Sequence, residues 1–332
     1  MLKKWFLVLA VLAGMVGLSG QTAQAASTTS GMGFSVKPVT HQHQINRAAG
    51  YFQLLVKPGQ TERLSLKVHN QADKTRKIQV TPVSAYTNDN GVIAYKPTVT
   101  AKLVAKQSQF ARLVSAAQTV TLAPNATRTV TFTVKTPSGH FSGLIDGGFR
   151  VRALGETTTT SVKKGFSIQN RYETVVGATL QQRKQAVSPV VQVGTIKPAK
   201  VNGQLVALAN VQNIEPVLFG QMTIDAKVTN DANQTVAHHK QTDLAMAPNS
   251  AFNYHMGWQP KTIKPGKYHL ALVATSGTQR WTVNRDFTIT RAQAAKLNPK
   301  TAMSYWWLWL IIALIVIAAI WAIWRRRQLK QQ

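Results

Sequence analysis

The sequence predicts an all-β body of two immunoglobulin-like β-sandwich domains in tandem, followed by one C-terminal transmembrane helix. Three observations carry this prediction. Apolar residues alternate with polar ones in short segments, the period-2 signature of half-buried antiparallel strands. The segments recur roughly every 8–15 residues between Pro, Asn and Gly turns, the rhythm of a sandwich. One run, from Tyr305 to Trp324, carries no charge at all.

The elements follow in order. Lys3 and Lys4 precede an apolar run from Trp5 to Leu18, and Ala23-Gln24-Ala25 supplies small residues for cleavage. Residues 1–25 therefore read as a secretory signal cut after Ala25. The first sandwich is expected over 31–182. Phe52, Leu54 and Val56 alternate, then Leu64, Leu66 and Val68, then Ile78 and Val80. Asn88-Asp89-Asn90-Gly91 is a strong turn signal. Residues 102–115 break the alternation and suggest one short helix. Gly147-Gly148 inside an apolar strand signals a bulge or a close backbone approach. Thr157 to Thr160 reads as a hairpin tip, and the linker falls near Gln181 to Pro189.

The second sandwich is expected over 183–292. Leu205, Ala207, Ala209 and Val211 form one segment; Met222, Ile224, Ala226 and Val228 form the next. Phe252, Tyr254 and Met256, then Tyr268, Leu270 and Leu272, repeat the pattern. The span over 305–324 is flanked by aromatics, Trp306 at one end and Trp324 at the other, as at two membrane interfaces. At ~1.5 Å per residue it matches a ~30 Å hydrocarbon core. Arg325, Arg326 and Arg327 follow and keep the tail, 325–332, on the cytoplasmic side. The expected topology is single-pass type I, with the large domain on the extracellular, cell-wall side.

Composition narrows the chemistry. The 332 residues contain 39 Lys+Arg, 11 Asp+Glu and no Cys, for a net charge of +28. The signal holds two of the basic residues and the tail four, which leaves 33 against 11 acids, or +22, on the exported body. No basic run exceeds three residues, so the charge suits envelope polyanions rather than nucleic acid. A Cys-free exported chain excludes thiolate metal sites and a cysteine nucleophile, and it fits a bacterial surface without a disulfide-forming compartment.

Motifs for catalysis are missing. No Gly-x-Ser-x-Gly elbow, P-loop or dinucleotide fingerprint occurs, so the chain reads as a non-enzyme with no cofactor. His41-Gln42-His43 places two imidazoles on one strand face, but no carboxylate lies nearby in sequence, and no metal site is expected there. Trp258 and Trp281 read as core. Tyr51, Tyr86 and Tyr95 are the remaining aromatics for stacking on sugar rings. Tyr51, Lys57 and Arg63, an aromatic and two cations on adjoining strands, form the candidate wall-binding face.

Several stretches together resemble one family. GYFQLLVKPGQTERLSLKVHN from Gly50, TNDNGVIAY, FSGLIDGGFRV from Phe141 and SIQNRYETVVGATL from Ser167 resemble the first extracellular domain of WxL-interacting proteins. VGTIKPAKVNGQLVALANVQN, MAPNSAFNYHMGW, KPGKYHLALVA and WTVNRDFTIT resemble their host-binding domain. The match covers nearly the whole mature chain, in order; on the family pattern the domain boundary falls near 155–165. The resemblance implies a cell-surface protein of low-GC Gram-positive bacteria whose first domain binds peptidoglycan. It implies that the second binds WxL-domain surface proteins, with a host extracellular-matrix ligand as a further partner. The expected partner contact runs along Val201, Leu205, Ala207, Ala209, Val211 and Asn213. Two other readings stand beside this scaffold: a basic adhesin for host or matrix polymers, and a membrane-tethered cell-wall enzyme.

Overall fold

A computed structural model describes residues 32–98, 109–155, 158–162, 166–170, 172–298 and 306–328. The expected signal segment, its cleavage point at Ala25 and residues 102–108 of the expected helical stretch lie outside the described residues.

The body is two β-sandwiches in tandem. In the first, β1 (Phe34–Pro38), β3 (Thr61–Asn70) and β7 (Thr127–Lys135) form one sheet in the order β1-β3-β7. The facing sheet runs β2-β11-β8-β4-β5: β2 (Phe52–Leu55), β11 (Glu173–Gln181), β8 (Ile145–Leu154), β4 (Arg76–Thr87) and β5 (Ile93–Lys96). The strand β6 (Gln118–Leu122) also pairs with β4. All pairs are antiparallel except β2 with β11. A separate hairpin, β9 (Thr158–Val162) with β10 (Phe166–Asn170), stands beside them.

Alternation decides what the sheets bury. On β3, Leu64, Leu66 and Val68 are fully buried while Arg63 and Lys67 are exposed. Phe149 on β8 lies at the centre of the core. Its ring meets Phe132 at 4.8 Å, Phe110 at 5.7 Å and Phe52 at 6.0 Å, the last two edge-on, as ring quadrupoles favour. Each buried ring contributes roughly 1.5–3 kcal/mol of transfer free energy. Phe110 belongs to a single helical turn, α1 (Phe110–Leu113), which rests on β8 where the strand has no side chain. A Cβ on Gly147 would meet Phe110 Cβ and the Val83 carbonyl at 2.4 Å, so only glycine admits the turn.

The second sandwich opposes β12 (Val191–Val201), β13 (Gln204–Asn213) and β16 (Ala251–Gly257) to β15 (Thr235–Met246), β14 (Phe219–Asn230), β17 (Gly266–Ser276) and β18 (Gln279–Ile289). The sheet orders are β12-β13-β16 and β15-β14-β17-β18, all antiparallel. Tyr254 is buried in this core, and its hydroxyl donates to the carbonyls of His239 (3.0 Å) and Ile224 (3.2 Å). Trp258 is buried as expected of a core residue; Trp281 is half-buried against Phe219.

The two sandwiches share one corner design. Asn70 ends β3, and Asn213 ends β13. Each is fully buried. Asn70 Nδ2 donates to the Ala123 carbonyl at 2.9 Å, and Asn213 Nδ2 to the Ala247 carbonyl at 3.0 Å. Each backbone N–H donates three residues further on, to Ala126 and to Ser250. The receiving segments read Ala123-Pro124-Asn125-Ala126 and Ala247-Pro248-Asn249-Ser250, with Asn125 and Asn249 both at positive φ. Asparagine tolerates that left-handed backbone better than other residues with a Cβ.

The body ends on α2 (Arg291–Leu297), opened by a Thr290–Gln293 capping box. Asn298 then hydrogen-bonds both the N–H and the carbonyl of Ile263, which ties the chain back to the second sandwich. The last element, α3 (Trp306–Gln328), is a 23-residue apolar helix long enough to cross a membrane, with no part of its apolar stretch buried.

Candidate binding surfaces and the seam between sandwiches

Tyr51 is exposed, and its carbonyl accepts from Gln44 Nε2 at 2.8 Å. Lys57 is exposed just beyond β2. Arg63 is exposed on β3. The expectation that these three sit on adjoining strands is corrected here: β2 and β3 belong to opposite sheets, since β2 pairs with β11 and β3 with β1 and β7. Tyr51 and Lys57 flank one short strand, and Arg63 points outward from the other layer. Tyr86 has one ring face covered by Lys96 Nζ at 4.4 Å. Tyr95 is half-buried beside Asp146, and burial first, then that carboxylate, pushes its hydroxyl up to about 12. Of the three tyrosines, Tyr51 has the most open ring.

The expected partner strip on β13 is also corrected. β13 is the central strand of its sheet, and Ala207, Ala209, Val211 and Asn213 are all fully buried in or under the core. They hold the sandwich together and present nothing to a partner. Val201 and Leu205 are half-buried, at the β12–β13 hairpin around Asn202 and Gly203.

A group missed from the sequence lies where the β1–β2 loop crosses the start of β3. Glu62 is 3% exposed. His41 Nε2 lies 3.1 Å from its Oε2, and His43 Nδ1 2.8 Å from its Oε1. Burial of His41 outweighs the attraction of Glu62 and lowers its pKa from the usual imidazole value. The carboxylate is about twenty residues from the His pair in sequence, so spacing gave no sign of it.

The outer face of the four-stranded sheet carries an open groove lined by Lys227, Lys240, Arg280, His238 and Asp225. His238 and Asp225 pair at 2.9 Å, leaving three cations to give the groove its sign.

The sandwiches meet along a hydrogen-bonded seam. Thr87, at the end of β4, contacts Ser250 Oγ at 2.5 Å and accepts from the Ala247 N–H at 3.0 Å. Asp89 accepts from the Asn253 N–H at 2.9 Å, and the Gly91 carbonyl from Ala245 at 2.8 Å. Leu144 donates to the Pro216 carbonyl at 2.6 Å. The Asn88–Gly91 turn and the second sandwich's Ala-Pro-Asn-Ser corner thus interlock. Asp146 lies beside the seam in a small cavity lined by Ser84, Gln109, Leu144, Pro248 and Asn249. Desolvation drives its carboxyl up to about 7, against one opposing hydrogen bond from Gly147, and its Oδ2 has no partner.

Residues 34–153 match the family model for the WxL Interacting Protein peptidoglycan binding domain, and residues 163–299 that for the WxL Interacting Protein host binding domain. The sheet pairing runs differently from that division, since β11 lies beyond residue 163 yet belongs to the first sandwich. No curated protein matches the chain. Solved structures that share its β-rich character include the YadV chaperone (9% identity over 68% of this chain and 92% of that one, TM-score 0.26). The SafB chaperone with the SafA pilin of Salmonella enterica gives 11% over 70% and 98%, TM-score 0.23. A red sea bream transglutaminase gives 15% over 77% of this chain, TM-score 0.21, and the chain spans only 30% of that protein.

Proposed function

This chain belongs to the WxL-interacting protein family, and from that premise we propose that it is a membrane-anchored cell-surface scaffold joining peptidoglycan to WxL-type surface proteins. The observation that carries the reading is the pair of family matches laid in order over two β-sandwiches. The boundary between the two functional units is placed at residues 182–190, where β11 ends one sheet set and β12 opens the other. The apolar helix α3 is the anchor. Its basic end, with Arg325 stacked 5.3 Å over Trp321, sits at the inner interface.

The first sandwich is assigned to the wall, with Tyr51 and Lys57 as one contact pair and Arg63 as a separate one. Ring stacking and Lys or Arg on muropeptide carboxylates supply the attraction. Sedimentation with purified sacculi tests this. The Tyr51→Ala, Lys57→Ala double variant should bind at least fivefold less, and Arg63→Ala should also bind less, by a smaller factor. Undiminished binding by the double variant sinks the assignment.

The second sandwich is assigned to the WxL partner, with contact at the β12–β13 hairpin. Val201 and Leu205 are the apolar residues of the expected strip that the fold leaves half-open. Titration of a WxL-domain protein into Val201→Asp, Leu205→Asp should show affinity reduced at least tenfold. Equal affinity moves the contact elsewhere. The cationic groove on β14, β15, β17 and β18 fits the host ligand that the family match implies, as an acidic polymer.

A further inference from the structure

We propose that His41, His43 and Glu62 form a binding site for a divalent transition-metal ion of the zinc type. The three side chains offer two imidazole nitrogens and one carboxylate oxygen, all within 4.8 Å of one another. Borderline ions of this kind favour such a set, with three protein ligands and an open fourth position. Bonds of ~2.1 Å at tetrahedral angles put donor atoms ~3.4 Å apart. Both imidazoles already sit against the Glu62 carboxylate, His41 Nε2 at 3.1 Å from Oε2 and His43 Nδ1 at 2.8 Å from Oε1, one on each oxygen. The rings of His41 and His43 lie 5.4 Å apart and are tilted by 58°, so small side-chain rotations bring the nitrogens together.

The environment favours the same assignment. Glu62 is almost fully buried, and among the described residues its carboxylate pairs with the two imidazoles and with no Lys or Arg. A buried carboxylate needs charge compensation, and a divalent ion supplies it more fully than neutral imidazoles. The scaffold is also partly fixed. The β1–β2 loop is pinned by Val39 N–H to the Ser65 carbonyl and by Leu55 N–H to the His43 carbonyl. Glu62 stands on β3, in register with Val134 of β7. His43 is the most open of the three, 35% exposed, and gives an entry path on the solvent side.

Metal entry requires a defined proton movement. His41 Nδ1 accepts from the His43 N–H at 3.2 Å, so its ring hydrogen sits on Nε2 and points at Glu62. Ligation through Nε2 shifts that hydrogen to Nδ1, and the bond from His43 N–H is given up. His43 Nδ1, which donates its hydrogen to Glu62 Oε1 at 2.8 Å, must likewise give that hydrogen up to ligate, with the ring hydrogen then on Nε2. The backbone amide of His43, released from His41 Nδ1, becomes the local reporter.

The test uses the full chain in detergent after chelator treatment, titrated with Zn²⁺ by calorimetry. Wild type should bind saturably, and His43→Gln and Glu62→Gln should each remove one site or weaken it at least tenfold. Co²⁺ in place of Zn²⁺ should give the visible bands of a tetrahedral site in wild type and lose them in His43→Gln. The half-open His43 position keeps that variant folded, which a metal-free melt matching wild type verifies. Absence of saturable Zn²⁺ binding, or equal binding by wild type and His43→Gln, overturns the proposal.

Discussion

Replacing Asp146 by Asn is expected to raise stability at pH 8 and to flatten its pH dependence between about 4 and 7. The reason is the direction of the shift. Burial moves the folded-state pKa from 3.8 up to about 7, so the fold favours the neutral acid. Below the unfolded value both states are protonated and the group costs nothing. As pH rises past it the unfolded chain ionises freely while the folded one resists. The penalty grows until the folded group titrates, and it is complete above about 7. A shift of this size corresponds to on the order of 4 kcal/mol at full development. Asn removes the ionisable group while keeping nearly the same shape. Denaturant unfolding of wild type and Asp146→Asn at pH 5 and pH 8 checks it: the gap should widen markedly from the lower pH to the higher. Parallel curves at both pH values refute the account.

Asn213→Ala should cost about 3 kcal/mol, with loss of the second sandwich's structure before loss of any surface. Asn213 Nδ2 serves the carbonyls of Val217 at 2.7 Å and Ala247 at 3.0 Å, and its Oδ1 accepts from the Glu215 N–H at 3.2 Å. Truncation leaves these buried or half-buried groups without partners, each worth roughly 1–3 kcal/mol of desolvation less whatever water recovers. Calorimetric melting reads the effect. A midpoint within a degree of wild type would mean that the corner is held by its backbone alone. Asn213→Asp isolates the donor, because it keeps the acceptor and removes the amide hydrogens.

The alternation of apolar residues made most of the fold legible. Leu64, Leu66 and Val68 announced their strand because one face of it is buried, and Met222 to Val228 did the same. Pairing was not legible, since period 2 says which face is inward but not which strand lies alongside. That is why Tyr51 and Arg63 were placed together although their strands lie in opposite layers. The same limit misassigned β13: Ala207 and Val211 alternate as well at the centre of a sheet as at its edge. Glu62 was hidden for a different reason. It takes an inward position in an otherwise apolar alternation, and only the loop carrying His41 and His43 reveals why. The corner does have a sequence signal: Ala-Pro-Asn followed by a small residue occurs at 123 and again at 247, each with a distant buried Asn before it.

The interlocked seam has a mechanical consequence. On the proposed function, a scaffold that holds the wall at one end and the membrane at the other is pulled whenever turgor or shear separates the two layers. Were the sandwiches joined by a slack connector, that connector would extend first and absorb the displacement. Here Thr87 bonds the 247–250 corner while the Asn88–Gly91 turn bonds Ala245 and Asn253 on either side of it, so tension entering one sandwich reaches the other without play. The body then behaves as a strut of fixed length.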